Sequence, residues 1–310
     1  MAPGTTGDVY LRLTVCLVGT ALVVAASAGA RGGAGNGRIG YLRALGGNEP
    51  PDLHLFSVNP DGGGTVDLTP PGYTDIRSFA WSPDGRRIAF SARAGDERDP
   101  DLFVMDAGGG AVRRLTDDRG ADWQPTWSPD GRWIAFVRSG AVSEIFRIRA
   151  DGRGERHVTR WRTHGSCDAP AWSPRGTLIA CDCRPADKIV LVRPDGRRVR
   201  ILLRRRFKTV ELSPAWSPDG RLIAFGRGAH WPSTQPLGIW TIRPSGRGLH
   251  RILARGGDPA FAPDGRWLTF IWFRDEQQEV YKAHADGSGI VQLTYTNGII
   301  EDEPSWQRAP

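Results

Sequence analysis

Residues 81–90 read WSPDGRRIAF, and this ten-residue phrase recurs four more times along the chain. The later copies are WSPDGRWIAF at 127–136, WSPRGTLIAC at 172–181, WSPDGRLIAF at 216–225 and FAPDGRWLTF at 261–270. A clipped sixth copy, PSW at 304–306, lies near the C-terminus. The aromatic anchors at 81, 127, 172, 216, 261 and 306 are separated by 46, 45, 44, 45 and 45 residues. So regular a period predicts stacked copies of one supersecondary unit, because a single copy cannot bury its own core.

Each copy of the repeat predicts four short strands joined by tight turns. The turn 82–85 (SPDG) suits a chain reversal, because proline fixes φ at its second position and glycine accepts the left-handed conformation. Strand-like segments of this copy lie at 76–81, 87–91, 102–105 and 112–115. Four-stranded antiparallel units repeated around an axis are typical of a β-propeller, in which adjacent blades pack face to face. We therefore expect the repeated tryptophans to lie in the core between blades and not to bind a ligand.

The two ends of the repeat region complement each other. Residues 37–41 (GRIGY) resemble a second strand that lacks a first, and 53–58 and 65–68 supply the third and fourth strands. Residues 304–306 resemble a first strand that lacks the rest. The sequence thus predicts an all-β fold over 37–310: a six-bladed β-propeller of four-stranded antiparallel blades. Pairing of the N- and C-terminal strands in one blade would close the ring and remove its open edges.

The first 36 residues differ in kind from the repeats. Residues 13–30 carry no charge, Arg12 precedes them, and Ala26-Ser27-Ala28 offers the small residues that a signal peptidase accepts. Residues 1–30 are therefore predicted to be a signal peptide, followed by a Gly-rich linker at 31–36. An uncleaved membrane anchor is the alternative, since about 18 apolar residues is the lower limit for spanning a bilayer. We expect an exported protein, periplasmic or extracellular, that meets the membrane only through this segment.

The net charge of +7 is compatible with binding to an acidic partner such as nucleic acid. Several arginines, however, occupy one repeat position after Asp-Gly, so they are distributed over turns and do not form a single patch: Arg86, Arg132, Arg221 and Arg266. Export also argues against a nucleic acid partner. The sequence contains no G-x-S-x-G elbow, H-E-x-x-H motif, paired C-x-x-C motifs or P-loop. We expect no cofactor, no bound metal and no enzymatic activity.

The repeated W-S-P-D-G-x-x-I-A-F phrase resembles the WD-repeat-like propeller repeats of the TolB family, over residues 37–310. It is also similar to the propeller of dipeptidyl peptidase IV and prolyl oligopeptidase relatives, although we expect no hydrolase domain in this chain. TolB-family propellers are periplasmic and recruit protein partners. The resemblance therefore implies an exported interaction module.

Antiparallel blades place their connections on two faces. The turns after first and third strands share one face, here called the turn face, and are short and uniform. The loops after second strands and between blades share the opposite loop face and vary, as at 92–99, 161–166, 226–236 and 272–278. Function tends to lie on variable loops held by a rigid scaffold, so the loop face is the candidate binding surface.

Six acidic residues are predicted to lie just upstream of the innermost strands, near the channel mouth on the loop face. They are Asp75, Asp122, Asp168, Glu211, Asp258 and Asp302. Such carboxylates could attract a cation or a basic segment of a partner. The alternative is that each one bonds neighbouring backbone amides as part of the repeat.

Further candidate contact residues on the loop face are aromatic residues and histidines outside the repeated anchor position. They are Trp123, Trp161, His164, His230, Trp231 and Trp272. An exposed tryptophan can anchor a protein interface, whereas packing against the next blade would give it a structural role.

One blade carries three of the four cysteines. If Ser173 faces Thr177 across the turn, paired positions sum to 350, which places Cys167 opposite Cys183. An exported protein could oxidise this pair to a disulfide. Cys181 occupies the place of Phe90 and Phe136, so it should be a buried core residue.

These observations favour an exported, monomeric, non-enzymatic propeller. We expect it to bind a protein, peptide or cell-envelope component through its loop face. The alternative is an enzyme, such as a metal-assisted lyase or hydrolase, with its site at the channel mouth.

Overall fold

The computed structural model describes residues 35–45, 52–95, 97–184, 187–203, 209–229, 236–274, 277–296 and 301–309. Within these ranges the chain forms six four-stranded antiparallel sheets and one short helix. The sheets are numbered as blades 1 to 6 in chain order. The predicted signal peptide or anchor at 1–30, and most of the predicted linker at 31–36, lie outside the described residues.

The strands follow the predicted order of four per repeat. Blade 1 begins with β1 (Asn36–Leu45), β2 (Asp52–Val58) and β3 (Val66–Asp67). Blade 2 contains β4 (Tyr73–Trp81), β5 (Arg87–Ala94), β6 (Asp101–Asp106) and β7 (Arg113–Arg114). Blade 3 contains β8 (Ala121–Trp127), β9 (Trp133–Ser139), β10 (Ser143–Arg149) and β11 (Arg156–His157).

The helix α1 (Trp161–His164) connects blade 3 to blade 4. Blade 4 contains β12 (Ser166–Trp172), β13 (Ile179–Arg184), β14 (Lys188–Val192) and β15 (Arg198–Ile201). Blade 5 contains β16 (Thr209–Trp216), β17 (Ile223–Ala229), β18 (Pro236–Ile242) and β19 (His250–Leu253). Blade 6 contains β20 (Gly257–Phe261), β21 (Trp267–Arg274), β22 (Gln277–His284) and β23 (Val291–Gln292), and β24 (Glu301–Arg308) then completes blade 1. Among the described residues, no helix is long and apolar enough to cross a membrane.

The ring closes inside blade 1, as predicted. β24 pairs with β1 and brings Trp306 opposite Ile39 and Ser305 opposite Gly40. The Ala309 N–H also donates to the Gly35 carbonyl at 3.0 Å. The six-bladed propeller with four-stranded blades and shared terminal strands is confirmed.

The core lies between blades. Each of the six apolar clusters combines residues from two neighbouring blades. Trp127 is typical: it is buried against blade 2, and its Nε1–H donates to the Ala80 carbonyl at 3.1 Å. Trp81 and Trp306 are also buried, while Trp172 and Trp216 are half-buried against their clusters. The predicted core role of the repeated tryptophan is therefore confirmed.

The repeated turn explains why the turn face is uniform. In blade 2 the Ser82 Oγ donates to Asp84 Oδ1 at 2.5 Å, and Gly85 has a φ of 70°. The proline of one turn also packs on the glycine of the next: an added Cβ on Gly176 would lie 3.5 Å from Pro129 Cγ, and one on Gly220 would lie 3.7 Å from Pro174 Cδ. Each phrase thus folds its own turn and supports its neighbour's.

Three predicted loops on the loop face are shorter than expected. Strands β5, β17 and β21 extend into 92–99, 226–236 and 272–278 respectively. In these three blades the pairing of second and third strands continues beyond the apolar residues that recur in each copy. Backbone hydrogen bonding does not require an apolar side chain.

Candidate functional site: the channel mouth

The first strand of each blade lines the central channel. β4, β8, β12, β16, β20 and β24 contact one another in turn around the ring. All six predicted acidic residues lie within these strands and not upstream of them, which corrects the sequence-based placement. Measured back from the aromatic anchor of its copy, Asp75 is six residues away, Asp122 and Glu211 five, Asp168 and Asp302 four, and Asp258 three. The offsets differ, so the five carboxylates whose side chains are described do not occupy one equivalent position of the repeat.

Asp122 is held by a cation of its own blade. Its carboxylate is fully buried and accepts two hydrogen bonds from Arg138, both of 2.8 Å. Arg138 also contacts Glu155 at 2.8 Å. Burial raises the pKa of Asp122 to about 6, because desolvation outweighs the opposing effect of Arg138.

Three of the other acidic residues are also paired with cations. Glu211 is fully buried and lies 3.0 Å from Lys188 Nζ of the preceding blade. Asp75 contacts two arginines, and Asp168 contacts Arg184 at 2.9 Å. The predicted alternative, bonding to backbone amides, is therefore not the main interaction of these carboxylates.

The acidic residues do not assemble into a metal site in the part of the chain that is described. There, the only group of three or more potential ligands within 4.8 Å of one another consists of Cys167, Cys181 and Cys183. The side chain of Asp302 lies outside the description.

A second set of channel residues is partly connected by hydrogen bonds, and of its members the sequence analysis had singled out only Asp258. We call it the channel belt: the residues three positions before the aromatic anchors, Ser78, Gln124, Ala169, Ser213, Asp258 and Glu303. Five of them, all but Ser78, have φ between 48° and 51° and lie at β-bulges. Bulges re-aim side chains and are frequent next to functional sites.

The channel belt links blade 2 to blade 3, blade 3 to blade 4 and blade 5 to blade 6 through hydrogen bonds. The Gln124 N–H donates to Ser78 Oγ at 2.6 Å, and the Ala169 N–H donates to Gln124 Oε1 at 2.8 Å. The Ser213 Oγ donates to Asp258 Oδ1 at 2.5 Å. The signal in the sequence is positional: five of the six copies carry a polar residue there, but its identity varies.

Blade 4 carries Ala169 in the belt, and a carboxylate from another strand replaces the missing polar group. Asp182 on β13 lies opposite Asp168 and accepts a hydrogen bond from the Ser213 backbone. Burial in the channel wall, with a smaller contribution from Asp168, raises the pKa of Asp182 to about 7. Burial also raises the pKa of Asp258. The channel wall over blades 4 to 6 therefore carries two carboxyl groups, those of Asp182 and Asp258, whose pKa values are raised by burial.

The predicted aromatic contacts are mostly structural where they are described. Trp123 and Trp272 lie on β8 and β21, not on loops, and pack against the clusters between blades 3 and 4 and between blades 5 and 6. His164 ends α1, and its Nδ1 accepts the Arg160 N–H at 3.2 Å. His230 and Trp231 lie outside the described residues, as does the side chain of Trp161.

The three cysteines of blade 4 lie together in the core. Cys167 is the register partner of Cys183, and their Sγ atoms are joined by a disulfide. Cys181 is a buried free thiol with its Sγ 3.6 Å from that of Cys183. Burial raises the pKa of Cys181, so this thiol is unreactive at neutral pH.

We expect a chain spanning residues 35–310, denatured without reductant, to titrate with one free thiol, and with three after reduction. Replacing Cys181 by Ala should remove the single thiol and leave the disulfide unchanged. The bridge spans 16 residues, and closing a loop of that size stabilises a fold by about 3 kcal/mol, which reduction should remove from the free energy of unfolding. Three thiols before reduction would contradict the pairing.

The comparisons with known proteins agree with this geometry. The fold is similar to that of TolB from Acinetobacter baumannii, with a TM-score of 0.72, 20% identity, and coverage of 87% of this chain and 66% of that one, just under two thirds of its length. It is similar to a putative TolB from Agrobacterium tumefaciens, with a TM-score of 0.63, 18% identity, and coverage of 90% of this chain and 100% of that one. A puromycin-hydrolyzing peptidase of Mycobacterium tuberculosis shares the fold at a TM-score of 0.55 and 17% identity, over 82% of this chain and 44% of that one.

No curated protein matches the sequence. The family described as the TolB beta propeller domain matches residues 74–253, which are 180 of the 310 residues. With more than half of its length matched, and with the closed six-bladed ring already described, the chain belongs to the TolB beta propeller domain family.

Proposed function

We propose that this chain is an exported, non-enzymatic propeller that binds a protein or peptide of the cell envelope through its loop face. The observation that carries the proposal is the contrast between the two faces. On the turn face, the first-to-second-strand connections of blades 2 to 6 are all five or six residues long, for example 82–86 and 217–222. On the loop face, the connections that are described throughout range from three residues at 140–142 and 254–256 to eight at 158–165, where α1 lies.

The channel mouth adds polar and ionisable groups to the loop face. Belt residues present hydroxyl, amide and carboxyl groups, and the carboxyls of Asp182 and Asp258 have raised pKa values. Such a rim suits a partner segment that donates and accepts hydrogen bonds. The sequence of residues 1–30 supports export, which would place the propeller among envelope proteins.

The proposal can be tested by affinity capture from the native cell envelope with the full chain as bait. One variant replaces the connections 46–51, 95–100 and 230–235 by Gly140-Ala141-Val142, the short connection of blade 3. A matched variant alters only the turn face, by Gln at the four exposed arginines Arg86, Arg132, Arg221 and Arg266. Both should unfold at the temperature of the parent chain before they are compared.

We expect the loop-face variant to lose a partner that the turn-face variant retains. Retention of the same proteins by both variants would contradict the loop-face assignment. Loss of the partner only from the turn-face variant would place the binding site on the turn face.

Mass spectrometry of the exported protein tests the predicted signal peptide separately. Cleavage should leave an N-terminus near residue 29, whereas an anchor would keep Met1.

The alternative, a metal-assisted lyase or hydrolase, has less support because Asp122, Asp168 and Glu211 are each paired with a cation. Metal analysis of the purified chain separates the two proposals. Stoichiometric metal that is lost when these three residues are replaced by Ala would favour the enzyme.

A further inference from the structure

A cavity of about 490 Å³ lies on the turn face between blades 3 and 4, opposite the loop face. Its lining includes two tryptophans, an arginine and prolines of both blades: Trp133, Arg147, Trp172, Pro129 and Pro174. A volume of this size suits a small organic ligand. The residues that line it belong to the repeat, yet blade 3 places an unusual side chain among them.

That side chain is Arg147 on β10. Equivalent positions of blades 2 and 4 carry Val104 and Leu191, each opposite the corresponding alanine of the second strand. The guanidinium of Arg147 stacks on the Trp133 ring at 4.5 Å from its centroid. Burial lowers the pKa of Arg147, although the group stays charged at neutral pH.

Arg147 has no acceptor among the described residues. Its Nε is buried without a hydrogen-bond partner, and no described carboxylate lies within 4.0 Å of its guanidinium. The nearby carboxylates are already engaged: Asp130 accepts the Ser128 Oγ–H at 2.6 Å, and Asp195 pairs with Arg197 at 2.9 Å. A buried donor without a partner is unfavourable, particularly on a charged group, and an incoming anion would relieve this cost.

Trp172 lines the same cavity. The equivalent Trp127 and Trp216 each donate Nε1–H to a carbonyl of the preceding blade at 3.1 Å. The Nε1 of Trp172 is buried and has no such partner in the described chain, which is also true of Trp81 and Trp306 at the same repeat position. Arg147 is therefore the donor that sets this cavity apart, and Trp172 supplies an aromatic wall beside it.

We propose that this cavity binds a small organic carboxylate with a flat apolar body. The carboxylate pairs with the Arg147 guanidinium, which is a strong and geometrically specific interaction. The apolar body packs against Trp172 and the prolines. This site is independent of the loop-face function, so either proposal can fail without the other.

Blade 6 offers a matched control. There Lys282 stacks on Trp267 at 4.7 Å from the ring centroid, at the position equivalent to Arg147. Its Nζ, however, already donates to the Pro60 carbonyl at 2.5 Å. Blade 6 thus has the same pair of a cation and a tryptophan but with its hydrogen bond satisfied.

The test is a ligand-observed NMR titration of the full chain with benzoate and with benzamide, its neutral analogue. In the parent chain and in Lys282→Gln, benzoate should bind at least about tenfold more tightly than benzamide, and Arg147→Gln should abolish this preference. No preference in the parent chain, an undiminished preference in Arg147→Gln, or an equal loss in Lys282→Gln would overturn the proposal. A crystal structure of the parent chain with benzoate needs no variant: it should place the carboxylate against Arg147, and a carboxylate bound only elsewhere would refute the assignment.

Discussion

A chain that ends at Thr296 is expected to lose its cooperative unfolding transition, because it lacks the strand that closes the ring. β24 supplies the innermost strand of blade 1 and pairs with β1 from Asn36 to Arg43. Without it, Trp306 is lost from the cluster between blades 1 and 6, and β1 becomes an open edge along the channel. Removing one buried tryptophan costs about 3–5 kcal/mol, and the lost strand pairing adds to this, so the total approaches the whole stability of a typical domain.

Urea unfolding followed by near-ultraviolet circular dichroism measures this effect. Deletion of Ala309 and Pro310 alone is the control, since it removes one backbone hydrogen bond and should lower stability by about 1 kcal/mol at most. A peptide of residues 301–309, added in trans, should restore the transition of the truncated chain. A truncated chain with the unfolding midpoint of the full chain would show that closure in blade 1 does not stabilise the ring.

Replacing Arg138 by Met is expected to lower the free energy of unfolding by about 3–5 kcal/mol at neutral pH, because it leaves the buried Asp122 carboxylate without its cation. Arg184→Met is the matched control. Arg184 also pairs with a first-strand aspartate at 2.9 Å, but it is half exposed, so its loss should cost about 1 kcal/mol or less. Equal losses in the two variants, measured by urea unfolding, would contradict the role of burial.

The pH dependence of the Arg138 variant follows from Asp122. The folded-state pKa is raised from 3.8 to about 6, so between these values the folded state binds more protons than the unfolded state. The contribution of Asp122 to stability is therefore full below pH 3.8 and is lost as the pH rises through 6. Loss of Arg138 raises this pKa further, so the deficit of Arg138→Met should shrink on acidification. In the double variant Asp122→Asn/Arg138→Met this recovery should disappear, and its persistence would assign it to another group.

The fold was predictable from the sequence because the phrase at 81–90 and its four later full copies each specify a turn and an interblade aromatic residue, which is tryptophan in all but Phe261. The register of blade 4 was predictable only in part. Ser173 donates its N–H to the Leu178 carbonyl, so it does not face Thr177, and the predicted register is wrong by one residue near the turn. The bulge between Asp168 and Ala171 then shifts the pairing by one residue, which brings Cys167 opposite Cys183 after all. The cysteine pairing was thus predicted correctly through two compensating offsets.

The same bulges explain why the channel mouth was harder to predict. Alternation of apolar and polar residues fails at a bulge, so the strands appeared to begin after the acidic residues. The sequence did contain one usable signal, a constant spacing of 16 residues between an acidic residue and a following arginine. The pairs are Asp122 and Arg138, Asp168 and Arg184, and Glu211 and Arg227. The belt positions carried only a weak signal, a polar residue of varying identity in five of the six copies, because their hydrogen bonds depend on backbone conformation and on neighbouring blades.

The contact of each turn proline with the following turn glycine has a consequence for how such rings change over time. Every copy recognises only its immediate neighbours, and Gly131, Gly176, Gly220 and Gly265 meet the same proline atoms in the same way. A duplicated copy inserted between two others would find the same contacts on both sides. The repeated phrase therefore does not determine the number of blades. That number is set by the ring curvature at which the N- and C-terminal strands can pair within one blade.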